Sequence, residues 1–237
     1  MISFTEENYL KALLTLSTTK ESDARVGTNE IASRLNVKPA TANDMLKRLK
    51  DKGFIEYEKY GKITLTASGR ERAVVVLRKH RLWETFLYEK LDFTWDEVHE
   101  VAEQLEHIQS EKLVDKLDKF LDYPEFDPHG DPIPKPDGTI STFNRLTLTD
   151  IDENQRCKIV AVKDTSVEFL QYAQQLGLGI GSQVLVVSKH PYDLLTEIEI
   201  NDKRITVSQK IMDNVYVVCL QCEAGQECTN RKCSMNG

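Results

Sequence analysis

Apolar residues at Phe4, Tyr9, Leu10, Leu13, Leu14 and Leu16 recur at helical spacing, which predicts a first helix from Thr5 to about Ser17. The polar stretch TTKESDARVG interrupts the pattern. Within TNEIASRLNVKPATANDMLKRLKDKGFI two short helices follow. Thr28 is placed to cap the first, Asn36-Val37-Lys38 makes the turn, and Pro39 stands where a first-turn proline is tolerated. Ala42, Met45, Leu46 and Leu49 give the second helix a buried face, and Gly53 is placed to end it. IEYEKY and ITLTA then alternate with period two around Gly61-Lys62, a two-residue hairpin signal with glycine first. A helix pair followed by a β-hairpin predicts an N-terminal winged helix-turn-helix.

Helical spacing resumes at Gly69 through RERAVVVLRKHRLWETFLYEKL, and WDEVHEVAEQLEHI and SEKLVDKLDKFL predict two more helices. Five of the seven prolines crowd into YPEFDPHGDPIPKPDG, which cannot continue a helix and reads as an interdomain linker. Beyond it CKIVAV, SQVLVVS, TEIEI, RITVS and VYVVCL read as short strands, with one helix at about Val167 to Leu176, so a small β-barrel is expected. The fold class is multidomain, mainly α with β. The expected segments are a winged helix over 1–70, a helical domain over 71–123, a proline-rich linker over 124–149, a β-barrel over 150–221 and a Cys-containing tail over 222–237.

A chain of 237 residues, 40% hydrophobic and 29% charged, can bury more than one core. No apolar run approaches the roughly 18–20 residues of a membrane span, and the N-terminus lacks a basic signal-peptide region, so a cytoplasmic protein away from membranes is expected. The net charge of −7 argues against a nucleic-acid binder only on average. Between Arg34 and Arg81 there are 13 Lys and Arg against 5 Asp and Glu, a local +8, leaving −15 for the remainder. A basic module inside an acidic chain is compatible with a DNA-contacting domain joined to one that handles cations. Cys219, Cys222, Cys228 and Cys233 fall in the last 19 residues and Cys157 stands alone. Their spacing is short and irregular for a zinc ribbon, so a polar tail is preferred to a metal site there.

The stretch VHEVAEQLEHIQSEKL holds His99, Glu103, Glu106 and His107. At about 100° per residue these four share one helical face, opposite Val98, Val101, Leu105 and Ile108. A solvated polar face is the bland explanation. Against it, His80 and Glu84 form another i,i+4 pair, and three of the five histidines lie within 28 residues, each beside a carboxylate. Metal ligation explains that clustering better. Mixed imidazole and carboxylate donors suit divalent first-row ions, and the absence of a thiolate from the cluster favours Mn²⁺ or Fe²⁺, with Co²⁺, Ni²⁺ or Zn²⁺ as substitutes in vitro.

The second helix of the wing module exposes Thr41, Asn43, Lys47 and Arg48. Hydroxyl and amide groups can read base edges while Lys and Arg hold phosphates. The expected DNA-facing set is Lys38, Ala40, Thr41, Asn43, Asp44, Lys47 and Arg48, with Lys62 of the hairpin.

Taken with the helix-turn-helix and wing, K-H-R-L-x-E-x-F-L at Lys79 to Leu87, V-H-E-x-A-x-x-x-E-H at Val98 to His107 and G-D-P-I-P at Gly130 to Pro134 resemble the diphtheria toxin repressor family of metal-dependent transcriptional regulators. The resemblance spans almost the whole chain. It implies a homodimeric repressor without enzymatic activity or catalytic residues, acting on a double-stranded DNA operator to control metal homeostasis genes, with helical metal-binding and dimerisation and an SH3-like barrel. It assigns Glu103, Glu106, His107 and Asn8 to a regulatory metal site, and His80, Glu84 and His99, with Glu168 of the barrel, to an ancillary one. Leu82, Trp83, Phe86 and the helix from Glu111 to Leu121 are its expected dimer contacts. Glu103 and the wing YEKYGKITLT resemble the manganese-responsive branch, whereas Asn8 is neutral where that branch has a carboxylate. Glu168 stands where an amide is usual and Thr165 where a carboxylate is usual.

Two other classes fit the sequence less well. A ferritin-like dinuclear metalloenzyme needs repeated Glu-x-x-His pairs, but Gln104 stands three residues before His107. A metal-independent winged-helix regulator leaves the His/Glu clustering unexplained.

Overall fold

The structure is a computed structural model that describes residues 2–18, 25–57, 62–141 and 146–220. Its elements are α1 (Phe4–Thr18), β1 (Val26–Gly27), α2 (Thr28–Arg34), α3 (Pro39–Asp51), β2 (Ile55–Tyr57), β3 (Lys62–Leu65), α4 (Ala67–Lys90), α5 (Val98–Leu105), α6 (Glu111–Phe120), β4 (Leu146–Thr147), β5 (Arg156–Val162), α7 (Val167–Gln175), β6 (Gln183–His190), β7 (Leu195–Ile200), β8 (Lys203–Ser208), α8 (Gln209–Asn214) and β9 (Val215–Cys219). They form two compact units. One comprises the chain to Trp83 with Glu100–Pro124 and Ile133–Ile140; the other comprises Glu84–His99, Glu125–Pro132 and the chain from Ser141. The division passes through α4, which continues unbroken across it.

In the first unit, α1 begins with a capping box. Ser3 N donates to Glu6 Oε2 at 2.9 Å and Ser3 Oγ accepts from Glu6 N at 3.3 Å. Burial pushes the Glu6 carboxyl up, but Lys52, whose Nζ donates at 2.7 Å, and the Ser3 amide together hold it below the usual range. This pair fastens α1 to the end of α3. Pro39 opens α3 as expected, and the helix stops at Asp51 where Gly53 takes φ +75°. Ala42, Leu46 and Leu49 are fully buried, with half-buried Met45 beside them, in a core that also takes Leu10, Leu13, Leu14, Ile31, Ile55 and Ile63.

Two local expectations are corrected here. Thr28 is the first residue of α2 rather than its cap. Gly27 holds the cap position because Val26 and Gly27 are still extended, paired with Ile63 and Lys62, and Glu30 Oε2 accepts the Gly27 N–H at 3.4 Å. The two-residue hairpin at Gly61-Lys62 is also overturned. Ile55 pairs with Leu65 and Tyr57 with Ile63, and Lys62 already belongs to β3; Gly61 lies outside the described residues. Cross-strand partners share a face, so this register gathers four apolar side chains, whereas a turn at Gly61-Lys62 would set Glu58 opposite Leu65. The strand order is β1-β3-β2, the wing of a winged helix. Gly69 is demanded by close approach: a Cβ there would lie 1.9 Å from the Phe54 carbonyl oxygen.

Apart from Ile133–Ile140, the rest of this unit is built on the helices α4, α5 and α6. Ser110 Oγ caps α6 by accepting from Leu113 N at 3.3 Å. Buried Arg78 of α4 donates to Asp118 of α6 at 2.7 Å and to the Pro134 carbonyl at 2.6 Å, so one guanidinium ties together three segments.

The second unit is built on an antiparallel sheet of order β4-β9-β5-β6-β7-β8. Bulges between Ile159 and Ala161 and between Val186 and Ser188 bend β5 and β6 around a core of Ile159, Val162, Leu170, Val184, Ile198 and Val217. Cys157 and Cys219 face each other inside it. Burial, and secondarily Cys219, pushes the Cys157 thiol up to about 12, so it packs as a core hydrophobe. Cys222, Cys228 and Cys233 lie outside the described residues.

The proline-rich segment is packed rather than a loose tether. Asp127 Oδ1 accepts from the amides of His129 and Asp131 at 2.8 and 2.9 Å, His129 O accepts from Val162 N at 3.0 Å, and Trp95 Nε1 donates to Pro128 O at 2.9 Å. Prolines supply the bends, while these amides find acceptors.

Candidate metal centre

Within the first unit the buried face of α1 meets the segment that follows α5. That helix ends at Leu105, so His99 and Glu103 are helical while Glu106 and His107 lie in the turn beyond. The single stripe read from the sequence is therefore divided. Glu106 is 0% exposed and His107 is 9% exposed, which rules out a solvated face for that half; Glu103 remains exposed.

Each buried donor has a defined partner. His107 Nδ1 lies 2.6 Å from Glu7 Oε2, and the Asn8 amide, in the orientation its surroundings require, places Nδ2 2.9 Å from His107 Nε2 and 3.3 Å from Glu106 Oε1. A donor facing Nε2 and a carboxylate facing Nδ1 select the Nδ1–H tautomer. The Nε2 lone pair of His107 thus points to the same place as Glu106 Oε1, 3.8 Å away, and as the Asn8 amide. Phe4 stacks on the His107 ring with centroids 4.6 Å apart, and Gln109 Nε2 donates to the second Glu7 oxygen at 3.1 Å.

The other Glu106 oxygen, Oε2, takes Lys11 Nζ at 2.7 Å and His80 Nδ1 at 2.6 Å, and Lys11 Nζ also lies 3.5 Å from Glu103 Oε1. Burial pushes the Glu106 carboxyl up, but His80 and Lys11 outweigh it and hold the group below its ordinary value. Nearby, burial pulls the Lys79 ammonium down against the opposing pull of Glu7 and Glu106. Of the expected regulatory set, Asn8, Glu106 and His107 are brought together, whereas exposed Glu103 reaches them only through Lys11. Glu7 and Lys11 were missed. Their signal was present, because positions 7, 8 and 11 share one turn of α1.

The other expected set is only partly assembled. His80 and Glu84 are one turn apart on α4, and His99 Nδ1 lies 3.1 Å from Glu84 Oε1, so the three form a group of potential ligands. His80 itself turns its Nδ1 to Glu106, which links it to the regulatory cluster. Glu168 sits exposed in the first turn of α7, outside that group. His129, which sequence reasoning left aside, is 3% exposed, stacks near Trp95, and brings Nε2 to 3.7 Å from Glu84 Oε1. Its signal was proximity to Asp127 and Gly130 in a segment read as linker.

On α3, Lys38, Ala40, Thr41, Asp44, Lys47 and Arg48 are exposed and Asn43 is half-buried; Lys62 is half-buried in β3. Lys47 Nζ lies 3.7 Å from Asp44 Oδ1 with both side chains largely exposed, a pair worth about 1 kcal/mol at most and so free to be exchanged for phosphate.

Comparison with known proteins identifies the domains. Residues 1–63 match the iron dependent repressor N-terminal DNA binding domain, 66–135 the iron dependent repressor metal binding and dimerisation domain, and 146–219 the FeoA domain. The chain is 30% identical over 163 residues to the iron-dependent repressor IdeR of Mycobacterium leprae, covering 66% of this chain and 70% of that protein. It is 27% identical over 177 residues to the diphtheria toxin repressor of Corynebacterium glutamicum, covering 70% and 77% respectively. Among solved structures, a manganese-dependent transcriptional repressor in complex with manganese superposes with a TM-score of 0.81 at 31% identity, covering 91% of this chain and all of that one. These relatives are transcriptional repressors rather than enzymes, and no helix among the described residues is long and apolar enough to cross a membrane. With a DNA-binding winged helix, a buried imidazole and carboxylate centre and a FeoA sheet in that order, the chain belongs to the iron-dependent repressor family, the family of the diphtheria toxin repressor.

Proposed function

We propose that the chain is a cytoplasmic, homodimeric repressor whose affinity for operator DNA is raised by Mn²⁺ or Fe²⁺ held by Asn8, Glu103, Glu106 and His107. The observation that carries this reading is the buried pair Glu106 and His107, one held charged and the other fixed as a single tautomer, with Glu106 Oε1 and His107 Nε2 converging on the Asn8 amide of α1. The donors fit the ion: carboxylate and imidazole without thiolate suit Mn²⁺ or Fe²⁺, and a half-turn of the Asn8 amide offers a neutral oxygen. When bound, the ion supplies a divalent charge that unites groups from α1 and from the segment after α5. The chain's own residues do the rest. Glu7 orients His107, as carboxylates commonly orient metal-binding imidazoles. Asn8 carries the linkage into α1, which packs with α2 against β1 and β3 of the wing module, so the position of the DNA-reading helices and the state of the centre become coupled. His80, Glu84 and His99, joined by His129, are proposed to hold a second ion whose role is stabilising. The segment boundaries 1–70, 71–123, 124–149, 150–221 and 222–237 are proposed to mark DNA-binding, metal-binding and dimerising, connecting, SH3-like and tail regions.

Operator binding measured with Mn²⁺, Fe²⁺, Co²⁺, Zn²⁺ and with chelator tests the proposal. Affinity is expected to rise with metal by about 10-fold or more, a coupling of about 1.4 kcal/mol or greater. Equal affinity with metal and with chelator would leave a metal-independent winged-helix regulator.

The DNA face yields a separate expectation. Lys47→Ala with Arg48→Ala removes two exposed phosphate-directed charges, so the slope of log affinity against log salt should flatten by about 2. Asn43→Ala or Thr41→Ala should instead reduce discrimination between operator and unrelated sequence, by roughly 1–3 kcal/mol for each base that is no longer read. A salt titration in which the double variant keeps the parent slope would remove Lys47 and Arg48 from the phosphate contacts.

A further inference from the structure

The carboxylates of the centre already carry a cation. Lys11 Nζ lies 2.7 Å from Glu106 Oε2 and 3.5 Å from Glu103 Oε1, and its side chain is 11% exposed. Lys11 lies on α1 one turn after Glu7 and Asn8, so the ammonium reaches the acidic pair from the same helix that contributes the amide. We propose that Lys11 is a tethered counter-cation that competes with the metal for Glu103 and Glu106 and so sets the metal concentration at which the protein responds. This inference rests on the metal-site reading above.

The argument is one of charge and space. Glu103 and Glu106 together bring two negative charges, and Asn8 adds none. Lys11 neutralises half of that. A divalent ion held at Glu106 Oε1 and by Glu103 would share both carboxylates with the ammonium on Glu106 Oε2, and beside the fully buried Glu106 the two cations repel each other, so ion binding favours withdrawal of Nζ. The ion pair stabilises the metal-free state, and every increment of stability given to that state alone is subtracted from metal affinity. A lysine that merely supported the fold would stabilise both states alike. The proposal therefore has a two-sided signature: without Lys11 the metal-free protein is weaker and the metal binds tighter.

The test uses the full chain, with Mn²⁺ titrated calorimetrically into wild type, Lys11→Met, Lys11→Gln and Lys11→Arg, and thermal unfolding followed with and without the ion. Lys11→Met and Lys11→Gln are expected to bind Mn²⁺ at least about 10-fold more tightly. Their melting temperature should be lower than wild type in chelator, with a larger upward shift on adding metal. Lys11→Arg, which keeps the charge, should stay within about threefold of wild-type affinity. If Lys11→Met fails to fold in chelator, Lys11→Gln, which keeps a hydrogen-bond donor, decides. Unchanged or weaker Mn²⁺ affinity in both neutral variants, with wild type binding normally, would overturn the competition while leaving the metal site intact. Absence of Mn²⁺ and Fe²⁺ binding by wild type itself would overturn both.

Discussion

Glu106→Gln is expected to abolish metal-dependent operator binding while leaving the chain folded. The side chain is 0% exposed, and its two oxygens face different groups: Oε2 takes Lys11 and His80, and Oε1 faces His107 Nε2 and the Asn8 amide. Glutamine keeps the volume and one acceptor but gives up the charge. Truncation to alanine would confound the result, because an uncompensated buried partner costs about 3–5 kcal/mol. In Glu106→Gln, Lys11 retains Glu103 at 3.5 Å, so the loss of stability should be much smaller than that. Metal affinity, by contrast, loses a charged ligand held in place by several neighbours. Even groups that only orient ligands cost about 10–100-fold when removed, so at least about 100-fold weakening is expected, equivalent to about 2.7 kcal/mol. Calorimetric titration of Mn²⁺, with operator binding measured in parallel, reads both effects. If the variant bound metal as wild type does, the buried pair would be structural and the proposed sensor would have to lie elsewhere.

That the residues of the proposed sensor could be singled out in the sequence at all reflects how strongly helical periodicity constrains neighbours. His80 with Glu84, and His99 with Glu103, stand one turn apart, and such pairs can be read directly from spacing. The same rule failed at Glu106 and His107, because it treats the helix as continuing through them. The helix stops at Leu105, and the turn sends these two side chains toward α1. Glu7 and Lys11 were overlooked for a different reason. Nothing in spacing alone says which polar residues of an amphipathic helix will face a partner almost 100 residues away, and only the packing of α1 against the segment after α5 brings Glu7 onto His107. The wing shows the limit of local turn signals. Gly61-Lys62 has hairpin chemistry, but the apolar face shared by Ile55, Tyr57, Ile63 and Leu65 sets another register. The proline-rich segment was the hardest to read, since prolines mark both loose tethers and rigid packed straps. Its buried Asp127 and His129 distinguish the two, and burial is a tertiary fact.

Within that strap, Gly130→Ala is expected to be among the most destabilising single substitutions in the second unit, at roughly 4 kcal/mol or more, the upper end of what point changes cost. Two effects combine. Gly130 has φ +82°, a conformation that costs an L-residue about 1–2 kcal/mol. An added Cβ would also lie 1.9 Å from the Val160 carbonyl oxygen and 2.6 Å from Ala161 Cα, both backbone of β5, which cannot yield as a flexible side chain would. Gly181 separates the two contributions, because its φ is +87° but nothing lies within 4 Å of its would-be Cβ. Gly181→Ala should therefore cost only the backbone share, about 1–2 kcal/mol. The chain has two tryptophans, and Trp95 belongs to the core of the second unit. Denaturant unfolding followed by Trp95 fluorescence in a Trp83→Phe background therefore reports on that unit separately. His129 precedes Gly130 and hands its carbonyl to Val162 N at 3.0 Å, so a strap forced off β5 also carries His129 away from Glu84. Gly130→Ala should accordingly reduce the thermal stabilisation by added metal that is proposed for the second ion, and Gly181→Ala should leave it unchanged. Equal costs for the two alanine variants would show that the strap yields, and the close approach to β5 would no longer explain why the G-D-P-I-P stretch begins with glycine.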